Sequence, residues 1–443
     1  MIDIFALGGY NEIGKNMTAI RIDDTVVILD MGLHMEKYIT LNKDDDLMAV
    51  DPDILKKAGV IPDIDPMREW IGKVKAIIPT HAHLDHVGAV PFLASRFNAP
   101  IICTPFTSEV IKRILKDEDI NLKNEIRSVE PGSNFLLDDI EIEFINMTHS
   151  TPQTVVIAIH TKYGTILYAN DFKFDDDPVL GEKADTKRIE EIGKKGVIAL
   201  ICDTTNADID IKTESESIAR EMLRTVLKDS VSDKTIIVTT FASHIARLKS
   251  ILDFALEMDR EVIFLGRSLK KYIKAAEKVG LVDFSSKTEI VGFSSKIDRK
   301  LTKVMMSGKE RFLLVVTGHQ GEENSVLSKI ADGKTPFHID SDDHVIFSCA
   351  VIPTETSILS RKVLEEKLAK HNPKISRDIH VSGHAASDDL KELIRIACPK
   401  HIIPAHGTEK KKLALAAIAE KMKVCNIHIV NDGDRIVIDD GCI

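Results

Sequence analysis

Residues 81 to 88 read His81-Ala82-His83-Leu84-Asp85-His86-Val87-Gly88, which sets four metal-binding side chains within six positions. The run before it, Val74-Lys75-Ala76-Ile77-Ile78-Pro79-Thr80, is short, apolar and β-branched, so it predicts a buried strand. The ligands then leave on the loop after that strand, and Ala89 to Leu93 predicts a helix. Divalent ions such as zinc take imidazole nitrogens and carboxylate oxygens, and a catalytic site keeps one position open for water. His81 and His83 can converge on one ion while Asp85 and His86 face a second. The alternative is a polar loop with three solvated histidines, but four ligand-type side chains this dense rarely arise as filler.

The chain's 443 residues, 44% hydrophobic and 29% charged, suffice for a large core and suggest two to three domains. No apolar run is long enough to cross a membrane, and Met1-Ile2-Asp3-Ile4-Phe5 lacks the basic and apolar regions of a signal peptide. The six cysteines (Cys103, Cys202, Cys349, Cys398, Cys425, Cys442) are scattered, as expected of reduced thiols in a cytoplasmic protein. A net charge of −10 argues against a generally sticky nucleic-acid binder. Residues 204–348 are nevertheless balanced, with 22 Lys plus Arg against 22 Asp plus Glu. Basic stretches there, such as Arg267-Ser268-Leu269-Lys270-Lys271-Tyr272-Ile273-Lys274, could face phosphates or form a solvated helix face.

Taken in order, Ile4 to Asn16 is a strand running into a glycine-rich loop. It is not a phosphate loop, because Met17–Ile22 and Val26–Leu29 read as strands where a helix should follow. The loop is expected to pack near the metal site. Asp30, at a strand end, could accept a hydrogen bond from a ligand histidine or serve as an ordinary turn aspartate. Residues 41 to 66 are acidic and punctuated by proline, predicting a surface excursion with little regular structure. Pro100 to Pro105 predicts a short strand and Phe106 to Leu115 a helix. Glu141 to Asn146 alternates like a half-buried strand and brings His149 to its end, a third partner for His81 and His83. Thr165 to Asn170 ends in Asp171, whose carboxylate could bridge two ions, and Gly196 to Cys202 ends in Asp203. All these polar residues leave strand ends, as a site built on one sheet edge requires.

Strand-end Asp30, the His-x-His-x-Asp-His motif at 81 to 86, His149 and Asp171 together resemble the ordered motifs of the metallo-β-lactamase fold. That resemblance implies an α/β protein with an αββα sandwich, two sheets face to face with helices outside. The motifs by themselves do not choose among ester, lactam, thioester and phosphodiester substrates.

From about residue 207 strands and helices alternate: Ser217–Leu227, Thr235–Thr240, a helix opened by Ser243 and His244, Glu261–Leu265, then Gly266-Arg267-Ser268 and a lysine-rich helix. Phe312–Val316 leads into Thr317-Gly318-His319. Such alternation predicts a parallel sheet with covering helices, whose strand-end residues Ser243, His244, Gly266, Arg267, Ser268, Thr317, Gly318 and His319 could line a phosphate groove or merely shape turns. A helix from Thr356 to Ala369 follows. Two further stretches, Ile379 to Ala385 and His401 to Gly407, return to strand-end histidines, His384 and His406. His406 could complete the second ion's shell with Asp85, His86 and a shared Asp171, leaving His384 free for proton transfer.

These features resemble the β-CASP branch of the metallo-β-lactamase superfamily, with Asp203, His384 and His406 matching its three extra motifs. The implied layout is a metallo-β-lactamase domain over 1–206, an inserted β-CASP αβ domain over 207–347, and the metallo-β-lactamase domain resumed over 348–443. Within that branch the chain resembles the ribonuclease J family in its compact archaeal form. Leu7 to Asn16, Phe241-Ala242-Ser243, Gly266 to Ser268, Thr317 to Glu322 and Val381 to Ala385 carry that likeness. A histidine at the third extra motif goes with RNA rather than DNA substrates. Because the sequence stops soon after His406, the appended C-terminal domain of bacterial relatives is not expected, and neither are the N-terminal RNA-binding domains of archaeal cleavage-and-polyadenylation-like endonucleases.

The resemblance implies a cytoplasmic, homodimeric exoribonuclease degrading single-stranded RNA 5′ to 3′ from 5′-monophosphate ends. Two zinc ions are expected, with manganese or magnesium as alternatives: one on His81, His83 and His149, the other on Asp85, His86 and His406, with Asp171 bridging. A water between them would attack phosphorus in line, and His384 would stabilise the transition state or protonate the leaving 3′ oxygen. Asp203 and Asp30 would orient histidines. RNA is expected to thread between the two domains, with a phosphate pocket near Ser243, Ser382, His384 and Ser387. The competing readings are an endoribonuclease on the same site, a small-molecule metallo-hydrolase of the lactonase or thioesterase kind, and a binding protein with a dead site.

Overall fold

The computed structural model describes residues 1–41, 51–230 and 234–438. Residues 42–50, within the acidic stretch, and Cys442 lie outside the described residues. The chain forms two compact units. One comprises Met1–Asp176, Glu182–Thr213 and Ser382–Ile443; the other comprises Asp177–Gly181 and Glu214–Val381.

The first unit is built on two sheets. One runs in the order Arg435–Ile438, Ile2–Gly8, Met17–Ile22, Thr25–Leu29, Val74–Ile78, Ile101–Cys103, Ile126–Ser128. The other runs Asn426–Ile427, His401–Ala405, Val197–Asp203, Gly164–Ala169, Val155–Thr161, Ile140–Asn146, Asn134–Leu137. Successive side chains of a strand point to opposite faces, and here the two parities enter different cores. Val27, Leu29, Ala76 and Ile78 of the first sheet share one buried cluster with Ile142, Phe144, Ile157, Ile166 and Tyr168 of the second. The opposite parity of the second sheet, including Val156, Ala158, Leu167, Leu200 and Ile402, packs on helices through Ile189, Ile192, Leu390, Leu393 and Leu415. Each fully buried aliphatic side chain of this kind contributes about 1.5–3 kcal/mol. The strands therefore carry near-continuous apolar runs, because both faces are covered. This is the expected sandwich.

The second unit is a six-stranded parallel sheet in the order Glu289–Val291, Glu261–Leu265, Phe312–Val316, Ile236–Thr239, His344–Phe347, Lys374–Ser376. This compact unit runs on past residue 347 to Val381. The reason is pairing. Lys374–Ser376 adds in parallel to His344–Phe347, and helix Glu355–Ala369 packs on helix Val326–Ala331.

Among its described residues the acidic stretch carries one short helix, Pro52–Lys57, capped by Asp51, and a kinked 3₁₀ segment, Asp65–Lys73, follows and buries Met67 and Trp70. One local expectation changes. Residues 379–385 form no strand, so His384 is carried on a loop. Among the described residues no helix is long and apolar enough to cross a membrane. Cys103, Cys202 and Cys349 are buried free thiols, whereas Cys398 and Cys425 are exposed.

Candidate metal centre

Six strand ends of the first unit deliver the site. Asp30 follows Thr25–Leu29, the 81–86 motif follows Val74–Ile78, and His149 follows Ile140–Asn146. Asp171 follows Gly164–Ala169, Asp203 ends Val197–Asp203, and His406 follows His401–Ala405. Asp30, Asp171 and His406 adopt left-handed φ values of 58°, 49° and 53°. That conformation is unfavourable for residues with a Cβ, and it turns each side chain back into the cluster at the cost of local strain.

Two donor sets share one carboxylate: His81, His83, His149 and Asp171 form one, and Asp85, His86, His406 and Asp171 the other. Asp171 Oδ2 lies 3.5 Å from His81 Nε2 and 3.6 Å from His149 Nε2. Its Oδ1 lies 3.3 Å from His86 Nε2 and 3.4 Å from His406 Nε2. Asp85 Oδ2 is 3.7 Å from both His86 Nε2 and His406 Nε2. One oxygen of Asp171 thus faces each set.

The backs of the rings fix their tautomers. His149 Nδ1–H donates to the Gly383 carbonyl at 2.7 Å, and His86 Nδ1–H to Asp30 Oδ2 at 2.8 Å. His406 Nδ1–H donates to Asn16 Oδ1 at 2.8 Å, and His81 Nδ1–H to Thr80 Oγ1 at 3.0 Å. Each of these histidines is left with an Nε2 lone pair aimed inward, as metal ligands are. His83 is reversed and presents Nδ1, which lies 3.1 Å from His81 Nε2 and 3.2 Å from His149 Nε2. Lone pairs this close repel unless a cation lies among them. Asp171 Oδ1, fully buried, also accepts no hydrogen bond within the protein. A buried carboxylate oxygen without a donor is costly unless a cation faces it. The donor set therefore fits two divalent ions.

The electrostatics agree. Burial, then the neighbouring His81, lowers the His83 pKa to about 3. Burial and His83 hold His149 well below its usual value. These rings stay neutral, the form that ligates metal. Burial works against charge on Asp171, but His406, His86 and His384 outweigh it and hold the carboxyl well below its usual range. Burial likewise opposes charge on His86, yet Asp171, Asp30 and Asp85 keep its pKa well above the ordinary imidazole value.

His384 joins neither of these two sets, but with Asp171, Asp203 and His406 it forms a third group of ligand-type atoms. Its Nδ1–H donates to Asp203 Oδ2 at 2.8 Å, and its Nε2 lies 4.0 Å from Asp171 Oδ2. Burial disfavours its charge, but Asp203 and Asp171 raise its pKa to about 9. A protonated imidazole with Nε2 aimed at the cluster can give a proton to a leaving oxygen.

Several supporting residues carry no ligand-type signal in the sequence. Asn16, from the glycine-rich loop, holds His406 and also donates to the Asp85 carbonyl at 3.1 Å. Thr80 and Tyr168 donate to Asp30 at 2.7 to 2.9 Å, fixing the carboxylate that holds His86. Gly383 lies so close to the His149 ring that a Cβ there would sit 3.0 Å from its atoms. Only the proximity of the Gly8–Asn16 loop was foreseeable.

The expected phosphate contacts divide. Ser382 accepts from Asn206 Nδ2 and the His384 amide. Ser387 is buried and donates to Asp210, so it is not available to a phosphate. In the second unit, His244 is buried as the cap of helix Ile245–Glu257 and lies 3.3 Å from Glu216, which withdraws it from solvent. Ser243 is buried beside it, Arg267 is exposed, and Ser268 is half-buried. His319, half-buried, sets its ring 4.2 Å from that of Phe241.

Comparison with known proteins agrees with this geometry. Residues 11–240 match the metallo-beta-lactamase superfamily, 233–365 the ribonuclease J beta-CASP domain, and 372–430 the Zn-dependent metallo-hydrolase RNA specificity domain. Ribonuclease J of Methanocaldococcus jannaschii is 42% identical over 438 residues, covering 98% of each chain. Ribonuclease J of Pyrococcus abyssi is 39% identical, covering 95% of this chain and 93% of its own. Ribonuclease J2 of Bacillus subtilis is 29% identical, with 98% of this chain and 75% of its own aligned. A crystal structure of a protein of unknown function from Enterococcus faecalis matches with a TM-score of 0.67 at 15% identity, over 98% of this chain and 99% of that one, a likeness of fold alone. With sandwich, inserted domain and full-length identity in agreement, the chain belongs to the ribonuclease J family.

Proposed function

We propose that this chain is a two-metal exoribonuclease that removes nucleotides from single-stranded RNA in the 5′-to-3′ direction, preferring a 5′ monophosphate. The observation that carries the reading is the pair of donor sets sharing Asp171, with the Asp203-backed His384 beside them. His81, His83 and His149 would hold one ion, Asp85, His86 and His406 the other, and Asp171 would lend an oxygen to each. Bound there, two zinc ions, or manganese or magnesium in their place, ease deprotonation of water and offset negative charge on the phosphoryl oxygens. The protein's own contribution is orientation and proton supply. Asp30 and Asn16 keep His86 and His406 aimed, and Asp203 keeps His384 charged. As the bond between phosphorus and the 3′ oxygen breaks, His384 gives its proton to that oxygen, and water supplies the new oxygen on phosphorus. Family resemblance supports a cytoplasmic homodimer, which light scattering would test.

The test uses matched 5′- and 3′-labelled single-stranded RNAs carrying 5′ monophosphate or triphosphate, with zinc or manganese supplied. Labelled mononucleotide should leave the 5′ end, more slowly from the triphosphate, and Asp85→Ala should abolish it. Discrete internal fragments indifferent to the 5′ group would make the enzyme an endonuclease. Intact RNA alongside hydrolysis of a lactone or thioester would reject the nuclease.

A further inference from the structure

Residues 267–303 carry ten basic and four acidic residues, in a chain whose net charge is −10. In their midst stands Phe293, 57% exposed, the only exposed Phe, Tyr or Trp among the described residues. Two ammonium groups approach its ring, Lys270 Nζ at 5.1 Å from the centroid and Lys296 Nζ at 5.7 Å. Nearby lysines are paired, Lys274 with Glu277 and Lys300 with Glu289. Lys270 and Lys296 have no carboxylate partner among the described residues. Gly292 makes room for this arrangement, since a Cβ there would come within 2.8 Å of Lys270 Cδ.

Ligands of parallel sheets generally bind beyond the carboxyl ends of the strands. Phe293 follows the edge strand Glu289–Val291 and sits at the carboxyl end of a parallel sheet. It is the cap residue of helix Ser294–Met306, whose first turn receives no side-chain hydrogen bond. Uncapped amides and a helix dipole favour an anion there. Exposed aromatic faces flanked by cations without counter-charges match a chain that alternates flat bases with phosphates.

We infer that the second unit bears an RNA-docking platform in which a base stacks on Phe293 while Lys270 and Lys296 meet the adjoining phosphates. The inference rests on the ribonuclease reading and adds a second hold on the strand. Duplex nucleic acid, with its bases already stacked, gains nothing from the ring.

The test is binding of a fluorescein-labelled 20-nucleotide oligouridylate to the full chain carrying Asp85→Ala, which blocks cleavage. Adding Phe293→Ala should weaken binding about five- to tenfold, while Phe293→Trp should preserve it. Replacing Lys270 and Lys296 by Ala should reduce the slope of log affinity against log salt by about 1.4. A 20-base-pair duplex should bind equally with and without Phe293. With 4-thiouridine in the strand, the photo-cross-linked tryptic peptide should be 288–296. Both sites are on the surface, so melting curves should match the parent. If the parent binds RNA but Phe293→Ala changes nothing and no cross-link reaches 288–296, the platform is overturned and the ribonuclease stands. If duplex and single strand lose affinity equally, stacking is overturned. If the parent binds no RNA, both readings fall.

Discussion

Asp203 grips His384 from behind. The imidazole Nδ1 lies 2.8 Å from Asp203 Oδ2, and Thr205 holds the other carboxylate oxygen through its amide at 2.7 Å and its hydroxyl at 2.6 Å. The pair therefore has one orientation and a fixed negative charge next to the ring. Asp203→Asn keeps the shape and removes the charge. We expect kcat to fall about 100-fold with little change in KM. The sign of the pH effect follows from the role. A proton donor works below its pKa and fails as pH rises through it, and the neutral amide lowers that pKa. The alkaline limb of the kcat profile should therefore move to lower pH, which a pH–rate series will read directly.

Asp30 is a hub for four donors: His86 Nδ1, the Thr80 amide and hydroxyl, and the Tyr168 hydroxyl. Its left-handed backbone is tolerated by Asn better than by Ala. Asp30→Asn should thus fold but hold His86 poorly. Zinc affinity, measured by competition with a chromogenic chelator, should drop about 10- to 100-fold.

Gly383→Ala places a methyl against the His149 ring while leaving the carbonyl that accepts its Nδ1–H. His149 must then shift by a few tenths of an ångström. The expected result is weaker binding of one ion and a fall in kcat, with the melting temperature of the chelated protein nearly unchanged. Calorimetric zinc titration, resolving one weakened and one intact step, is the check.

His344 gives the second unit its own pH dependence. It is buried between Ser230, 2.7 Å from Nδ1, and Ser376, 2.8 Å from Nε2. Burial first, and the nearby Lys374 second, lower its pKa to about 4. The folded state keeps the ring neutral while the unfolded chain takes a proton below about 6.5. Stability from this site is complete above that value and is lost as pH falls toward 4. His344→Gln should flatten the decline in melting temperature across that window relative to the parent, as seen by scanning calorimetry.

Much of this centre was legible because strand ends are legible. Apolar β-branched runs stopping at His81, Asp171, Asp203 and His406 announce both the sheet and the edge where polar groups gather. The pairings behind the ligands were not. His384 and Asp203 lie 181 residues apart and His406 and Asn16 390 apart, and no local periodicity encodes which partners meet. Turn residues are ambiguous for a related reason: a serine or histidine reads the same whether it faces solvent or, as Ser387 and His244 do, a carboxylate of its own chain. The last strand of the second unit, Lys374–Ser376, carries little sequence signal because it is only three residues at a sheet edge. The loop carrying His384 was mistaken for a strand because apolar Ile379 and Val381 alternate with polar neighbours.

The order in which the sandwich is assembled has a consequence for synthesis. Val197–Asp203 pairs directly with His401–Ala405, with the whole insert lying between them in the chain, and Ile2–Gly8 pairs with Arg435–Ile438. A ribosome-bound fragment reaching the end of the insert already displays His81, His83, Asp85, His86, His149 and Asp171, yet lacks His384 and His406. The set of candidate site residues is therefore complete only once residues 382–443, about the last seventh of the chain, have emerged.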